Sequence, residues 1–287
     1  MQEILLTIGL PGSGKSTWAD EYIQHNPDYY NVNRDDIRLM VQGRARYKKF
    51  TKTRENLVTQ TQFDVASTAI KAGKSVIVSD TNLNPDVINK WEQFAKDRGV
   101  AFQKKLFTDV PIGVLIARDK LREFPVTANI ITGMFERYRE IYWPKPVIDE
   151  SLPNAYIVDV DGTIAHMHNR RPYEWDKVGD DLPKQDIIRI INTLYNAGNK
   201  IIICSGRDGV SKDGTAEWLT QHNVNYNKFF IRPAGDCRKD YVIKEEIYNT
   251  HIKGKYNVLG VFDDRDQVVF LWRHLGLTCL QVDYGDF

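Results

Sequence analysis

Near the start of the chain, Gly9-Leu10-Pro11-Gly12-Ser13-Gly14-Lys15-Ser16 fits the spacing G-x-x-x-x-G-K-[ST]. An apolar run at residues 3–9 leads into it, and a helix predicted over residues 15–24 follows. This strand–turn–helix context constrains the fold strongly. The glycines let the backbone turn several N–H groups inward around phosphate oxygens, and the helix N-terminus adds positive potential. Gly12, Ser13, Gly14, Lys15, Ser16 and Thr17 are therefore candidate nucleotide-binding residues. Lys15 is placed to reach the β/γ-phosphates of ATP and Ser16 to ligate Mg²⁺. A plain Gly-rich turn is the alternative, but it does not account for all four fixed positions in this context.

Strand-like runs recur at residues 29–33, 75–80 and 100–107, with helical patterns at 52–72 and 85–98 between them. Such alternation predicts a parallel sheet covered on both faces. Three prolines then interrupt residues 143–154, where no periodic element can run. The pattern restarts with a strand at 155–159, a helix at 184–197 and a strand at 200–204, and further strands are predicted near 228–232, 257–262 and 278–282. The expected organisation is two α/β domains, 1–145 and 155–287, joined by a linker at 146–154. A chain of 287 residues can bury two cores. No apolar run approaches the roughly 18–20 residues that cross a bilayer, and the N-terminus does not resemble a signal peptide. A soluble, intracellular protein without a membrane partner is expected. Cys204, Cys237 and Cys279 match neither a zinc site nor a disulfide framework and read as reduced thiols.

The net charge of +1 conceals an asymmetry: residues 1–145 hold 22 Lys+Arg against 17 Asp+Glu, the remainder 17 against 21. A basic front half suits a polyanionic substrate. Asn33-Arg34-Asp35-Asp36-Ile37-Arg38 follows the second predicted strand, where catalytic groups gather at the carboxyl edge of a parallel sheet. A carboxylate there can accept a hydroxyl proton and a nearby arginine can hold an anion; a solvated loop is the alternative. Residues 44–54 carry six basic side chains with Tyr47 and Phe50, a pattern that tracks a phosphate backbone and stacks on bases, or else forms a solvated helix face. Asp80 closes an apolar strand and can orient Mg²⁺ or pin the glycine loop. Arg118 and Arg122, four residues apart, are expected to share a helical face, which is either an exposed helix surface or a lid over the nucleotide phosphates.

In the rear half, Asp159-Val160-Asp161-Gly162-Thr163 ends another apolar strand. One carboxylate can attack phosphorus and the other protonate the leaving alkoxide, with Mg²⁺ sharing the negative charge. Ser205-Gly206-Arg207, then Lys244 on a predicted helix after Arg238-Lys239-Asp240, then Asp263-Asp264 at a later strand end, can supply a phosphate-oxygen donor, a cation and metal-binding carboxylates in a fitting order.

These motifs carry a resemblance. The rear set looks like the haloacid-dehalogenase-type phosphatases. Nearly the whole chain, from I-L-L-T-I-G-L-P-G-S-G-K-S through N-V-N-R-D-D, I-V-S-D-T-N-L-N-P, D-V-D-G-T, R-K-D-Y-V-I-K-E-E-I and D-D-R-D-Q-V-V to Q-V-D-Y-G-D-F, resembles the phage-type polynucleotide 5′-kinase/3′-phosphatases. The resemblance implies an α/β fold of a P-loop kinase followed by a haloacid-dehalogenase-like, Rossmannoid phosphatase. It implies ATP as phosphoryl donor and Mg²⁺. Asp35 would be the general base, Arg38 a contact to the acceptor phosphate, Arg122 the lid arginine with Arg118 beside it, and Asp80 a substrate-side carboxylate. Asp159 would be the phosphatase nucleophile and Asp161 its general acid. Arg170, Ser205, Arg207 and Lys244 would line the phosphate site, and Ser16, Asp159, Asp161, Asp240, Asp263 and Asp264 would hold metal. DNA and RNA ends, a functionally linked ligase and a homo-oligomer are the implied partners, and phage encoding the implied origin. The segment after Arg207 is shorter than in the family pattern, and His166 and His168 find no match and read as surface residues. Two other functions fit the motifs less fully. A small-metabolite kinase fused to a metabolite phosphatase gives residues 44–54 no role. A binding scaffold with inactive sites leaves the complete acid, base and phosphate-binding sets unexplained.

Overall fold

The computed structural model describes residues 2–44 and 50–285. The chain divides into two compact units, Met1–Val110 with Val114–Tyr138, and Pro111–Gly113 with Arg139–Phe287.

The first unit runs β1 (Glu3–Ile8), α1 (Lys15–His25), β2 (Tyr29–Asn31), α2 (Arg34–Gln42), α3 (Lys52–Lys71), β3 (Ser75–Val78), α4 (Pro85–Asp97), β4 (Ala101–Leu106), α5 (Ile112–Asp119) and α6 (Ala128–Tyr142). The break between the units falls within α6. The four strands form one parallel sheet in the order β2-β3-β1-β4. β1 and β3 are buried almost throughout because helices cover both faces, which is why they read as unbroken apolar runs rather than as an alternation. β4 is an edge strand, and its exposed Lys104 protects it against pairing with another chain. Leu5, Ala19 and Ile77 pack with Trp18, Tyr22, Ile23 and Tyr29 beneath α1, fixing the helix whose N-terminus closes the glycine loop.

The second unit runs β5 (Asn154–Val158), β6 (Ala165–His166), β7 (Leu182–Pro183), α7 (Gln185–Asn196), β8 (Lys200–Ser205), α8 (Lys212–Gln221), β9 (Lys228–Ile231), α9 (Asp240–Ile247), β10 (Asn257–Arg265), α10 (Asp266–His274) and β11 (Cys279–Gly285). A parallel sheet has the order β11-β10-β5-β8-β9, and β6 pairs with β7 in an antiparallel ribbon. Alternate strand residues feed opposite cores. Ala155, Ile157, Ile202 and Cys204 meet Ile243, Ile247, Val268 and Trp272 on one face; Val158, Ile201 and Ile203 meet Ile188, Ile191, Trp218 and Leu219 on the other. The chain proceeds from β5 outward to β8 and β9, then returns to β10 on the other flank of β5. This reversal makes the carboxyl edge between β5 and β10 a topological switch point, where such sheets form their crevice. Asp159 follows β5 there, and Asp263 and Asp264 occupy the end of β10. Cys204 and Cys279 are buried and Cys237 is exposed, all three as free thiols.

Candidate active sites

In the first unit, Gly12 (φ 80°) and Gly14 (φ 94°) occupy the left-handed region that the loop requires. A Cβ at Gly12 would also strike the Leu115 carbonyl. The Lys15 side chain is buried, and its Nζ donates to the Leu10 carbonyl at 2.7 Å and to Ser13 Oγ at 3.2 Å. Burial pushes the ammonium down to about 7, against the pull of Asp80; the nearby Arg122 charge adds to the lowering. A cation held this way gains when an anionic phosphate enters the loop.

Asn33 caps α2, its Oδ1 accepting the Asp35 N–H at 2.8 Å, while its amide ties back to Ser79 beyond β3. The cap sets Asp35 on the first turn beside Arg38, whose guanidinium lies 2.6 Å from Asp35 Oδ1; Arg122 lies 3.6 Å from Oδ2. Arg118 donates to the Gly12 carbonyl at 3.3 Å. The expected shared helical face of Arg118 and Arg122 does not form. α5 ends at Asp119, and Arg122 lies in the bend beyond it. The buried Asp119 carboxylate accepts the N–H groups of Val126 and Thr127, at 2.9–3.2 Å, and so draws the chain out of the helix before Arg122. Both arginines still reach the loop region, but by different routes. Asp80 accepts the Arg34 N–H at 2.9 Å and the Gln62 amide at 2.6 Å, so its carboxylate ties α2 to α3. Of the basic stretch 44–54, residues 45–49, including Tyr47, Lys48 and Lys49, lie outside the described residues. Arg44 pairs with Glu123, and Phe50 stands 5.4 Å from the Arg38 guanidinium.

In the second unit, Asp159, Asp263 and Asp264 each offer an oxygen, all within 4.8 Å of one another. Lys244 Nζ stands 2.9 Å from Asp159 Oδ1, 3.0 Å from Asp263 and 3.5 Å from Asp240. Burial works against the Lys244 charge, but Asp159, Asp240 and Asp263 outweigh it and hold the ammonium well above its usual range. Burial likewise raises the Asp159 carboxyl, opposed by Lys244 and reinforced by the neighbouring carboxylates. Asp264 is pushed up to about 6, by burial first and by Asp263 second. A buried set of hard oxygen donors with excess negative charge fits a hard divalent cation. The side chain of Asp161 takes another direction: it accepts from Arg170 at 3.1 Å and from Arg207 at 2.7 and 2.9 Å. Asp240 faces Lys244 and Arg232. The structure therefore gathers Asp159, Asp263 and Asp264 as one oxygen cluster and sets Asp161 and Asp240 at its flanks. Ser205 is fully buried at the end of β8, its Oγ accepting the Arg207 N–H at 3.3 Å.

The two halves of the chain match family models separately. Residues 4–141 match a model described as an AAA domain, and residues 153–287 match the phosphatase domain of polynucleotide kinase PNKP. A protein of Autographa californica nuclear polyhedrosis virus, assigned as a bifunctional polynucleotide kinase/RNA ligase, is 32% identical over 309 residues, covering all of this chain and 43% of the viral protein. A second viral protein, from Acanthamoeba polyphaga mimivirus and assigned as a bifunctional polynucleotide phosphatase/kinase, is 29% identical over 112 residues, covering 38% of this chain and 21% of its own length. The chain thus spans less than half the length of the curated relatives it matches. A solved chain from a Pnkp1/Rnl/Hen1 complex is 31% identical with a TM-score of 0.50, covering 100% of this chain and 98% of that one. The chain belongs to the polynucleotide kinase/phosphatase family.

Several side chains that shape this family member's sites carry no motif. Glu55, on α3, grips Arg34 and Arg38 with oxygens at 2.7–3.0 Å. Asp181 is enclosed between Arg170 (2.7 Å) and Arg207 (2.5 Å), while its backbone carbonyl accepts from Trp218. Asp181 lies in a stretch where the sequence predicts no element, and its partners become visible only once Arg170 and Arg207 are enclosed and need more anion than Asp161 provides. Among the described residues no helix is long and apolar enough to cross a membrane.

Proposed function

We propose that the protein heals nucleic-acid ends: its first unit phosphorylates 5′-hydroxyls of DNA or RNA from ATP, and its second removes 3′-phosphates, with 2′,3′-cyclic phosphate as a further substrate. The division proposed is a kinase domain at 1–145, a linker at 146–154 and a phosphatase domain at 155–287. The observation that carries the reading is the pairing, on one chain, of a buried P-loop lysine near Asp35 and Arg122, with Arg38 on Asp35, and a buried nucleophile-type aspartate gripped by Lys244.

In the kinase, Asp35 takes the proton of the attacking 5′-hydroxyl. Arg38 and Arg122, which flank Asp35, hold the acceptor's flanking phosphate and the charge on the transferring group. Lys15 turns from the Leu10 carbonyl to the phosphoryl oxygens, and Ser16 sits beside it for Mg²⁺. In the phosphatase, an Asp159 oxygen attacks phosphorus, the bond from phosphorus to the 3′-oxygen breaks, and Asp161 gives that oxygen its proton. Water then attacks the aspartyl-phosphate, Asp161 takes the water's proton, and phosphate leaves. Lys244 holds Asp159 in its attacking position, while Arg170, Ser205 and Arg207 bind the phosphoryl oxygens. Asp159, Asp263 and Asp264, with Asp161 and Asp240 at their flanks, would hold Mg²⁺, which supplies charge neutralisation when bound. The proposed partners are nucleic-acid ends, a ligase that seals the healed ends, and further copies of the chain.

One oligonucleotide tests both activities. It carries a 5′-hydroxyl and a labelled 3′-phosphate and is incubated with Mg²⁺, with and without ATP. The expected result is loss of the 3′-phosphate in both reactions and a new 5′-phosphate only with ATP. Untouched ends alongside turnover of nucleosides or sugar phosphates would overturn the polynucleotide reading.

A further inference from the structure

We infer that Tyr173, with Trp175 beside it, forms a stacking platform for the terminal nucleobase of the 3′-phosphorylated end. This rests on the phosphatase reading and deepens it, since it names what tells a nucleic-acid end from a metabolite phosphate.

Tyr173 is 83% exposed, yet it is not on a slack loop. It sits at the tip of a turn that is pinned twice: the Glu174 N–H donates to the Arg171 carbonyl at 3.2 Å, and the Glu174 carboxylate accepts the Arg171 N–H at 2.8 Å. Pro172 precedes Tyr173 and fixes the backbone on the turn's leading side. The chain thus orders an aromatic ring that reaches no core. Its ring neighbour is Trp175, edge-on at 81° with centroids 6.1 Å apart. An edge-on pair leaves ring face open.

The platform is continuous with the chemistry. Trp175 packs under the Arg170 guanidinium, 5.9 Å from its ring centroid. That same guanidinium contacts Asp161 at 3.1 Å and Asp181 at 2.7 Å. Tyr173 lies three positions along the chain from Arg170, a reach of roughly 10 Å at most, which a single nucleotide can bridge. With the phosphate at Asp159 and Arg170, the sugar and base of the same nucleotide extend toward the turn. Every base presents a π-face, so stacking here binds any terminal nucleotide without reading its sequence.

The test compares two 3′-phosphorylated oligonucleotides, one with an ordinary terminal nucleotide and one with an abasic terminal sugar, using the unaltered protein, Tyr173→Ala and Tyr173→Phe. The unaltered protein is expected to show a KM about tenfold lower for the base-bearing end. Tyr173→Ala should raise that KM about tenfold, leave kcat and the abasic end unchanged, and Tyr173→Phe should restore it. Equal effects of Tyr173→Ala on both ends, or none on either, overturn the platform while leaving the phosphatase reading standing. Failure of the unaltered protein to release phosphate from either end overturns both.

Discussion

Among the described residues the buried Lys15 ammonium donates to the Leu10 carbonyl and the Ser13 hydroxyl, and its burial has a consequence for stability as well as for binding. Its pKa is lowered from 10.5 to about 7. Between these values the unfolded chain binds the proton and the folded chain does not, so stability rises with pH across that window. Below about pH 7 both states are protonated and the cost of the buried charge is fully present. Replacing the side chain by a neutral one of similar shape removes that cost. Lys15→Met is therefore expected to raise the unfolding midpoint of nucleotide-free protein at pH 6.5, by an amount worth up to a few kcal/mol, with the gain shrinking at pH 9.5. A gain equal at the two pH values would show that the lysine's charge is not the cause. In the proposed kinase the same variant is expected to lose the contact to the nucleotide phosphates, so that stability and activity move in opposite directions where a costly buried group is kept for function. Asp181 shows the reverse arrangement at this scale: a buried carboxylate fully paired with Arg170 and Arg207, the two guanidiniums that also contact Asp161.

Turns, more than helices or strands, decide the geometry of both sites. In the glycine loop the helix N-terminus supplies the inward-facing N–H groups, and in the second unit the turn after β5 separates Asp159 from Asp161. Gly162 holds φ 74° in that turn, and a Cβ there would overlap the Asp264 carboxylate. Both objections apply to any other residue. Gly162→Ala is expected to displace Asp264 and the turn together and to lower 3′-phosphate release about 100-fold, in line with the cost of misplacing a catalytic group by about an ångström, while 5′-phosphorylation stays within twofold. An unchanged 3′ rate would mean that the turn tolerates the shift. Lys184 braces the turn from outside, donating to the Gly162 carbonyl at 2.6 Å and to Asp283 at 2.7 Å. The bend after α5 is an element-scale feature of the same kind, since Asp119 ends the helix and so decides where Arg122 points.

For the molecule as a whole, two sheets with separate cores and separate family matches predict separable activities. Asp159→Asn is expected to abolish release of the 3′-phosphate and leave 5′-phosphorylation at the unaltered rate, and Asp35→Asn to do the converse, both followed on the doubly ended oligonucleotide. Loss of both activities from either change would show that the sites depend on one another.

Legible in the order of residues were the α/β class of both units, the positions of the strands and helices it marks to within a few residues (α2, α6, α8 and α10 carry no such mark), and the placement of Lys15, Asp35, Asp159 and Asp263 at or just beyond strand ends. These follow from local rules: apolar runs bury on both faces, and glycine spacing dictates the turns. Tertiary structure alone decided which groups meet. Glu55 reaches Arg38 from α3, Asp181 reaches Arg207 from a loop 26 residues away in sequence, and Asp119 redirects the chain before Arg122. Such contacts are set by how buried charges must be paired once the elements have packed, and that need leaves no periodic trace in the chain.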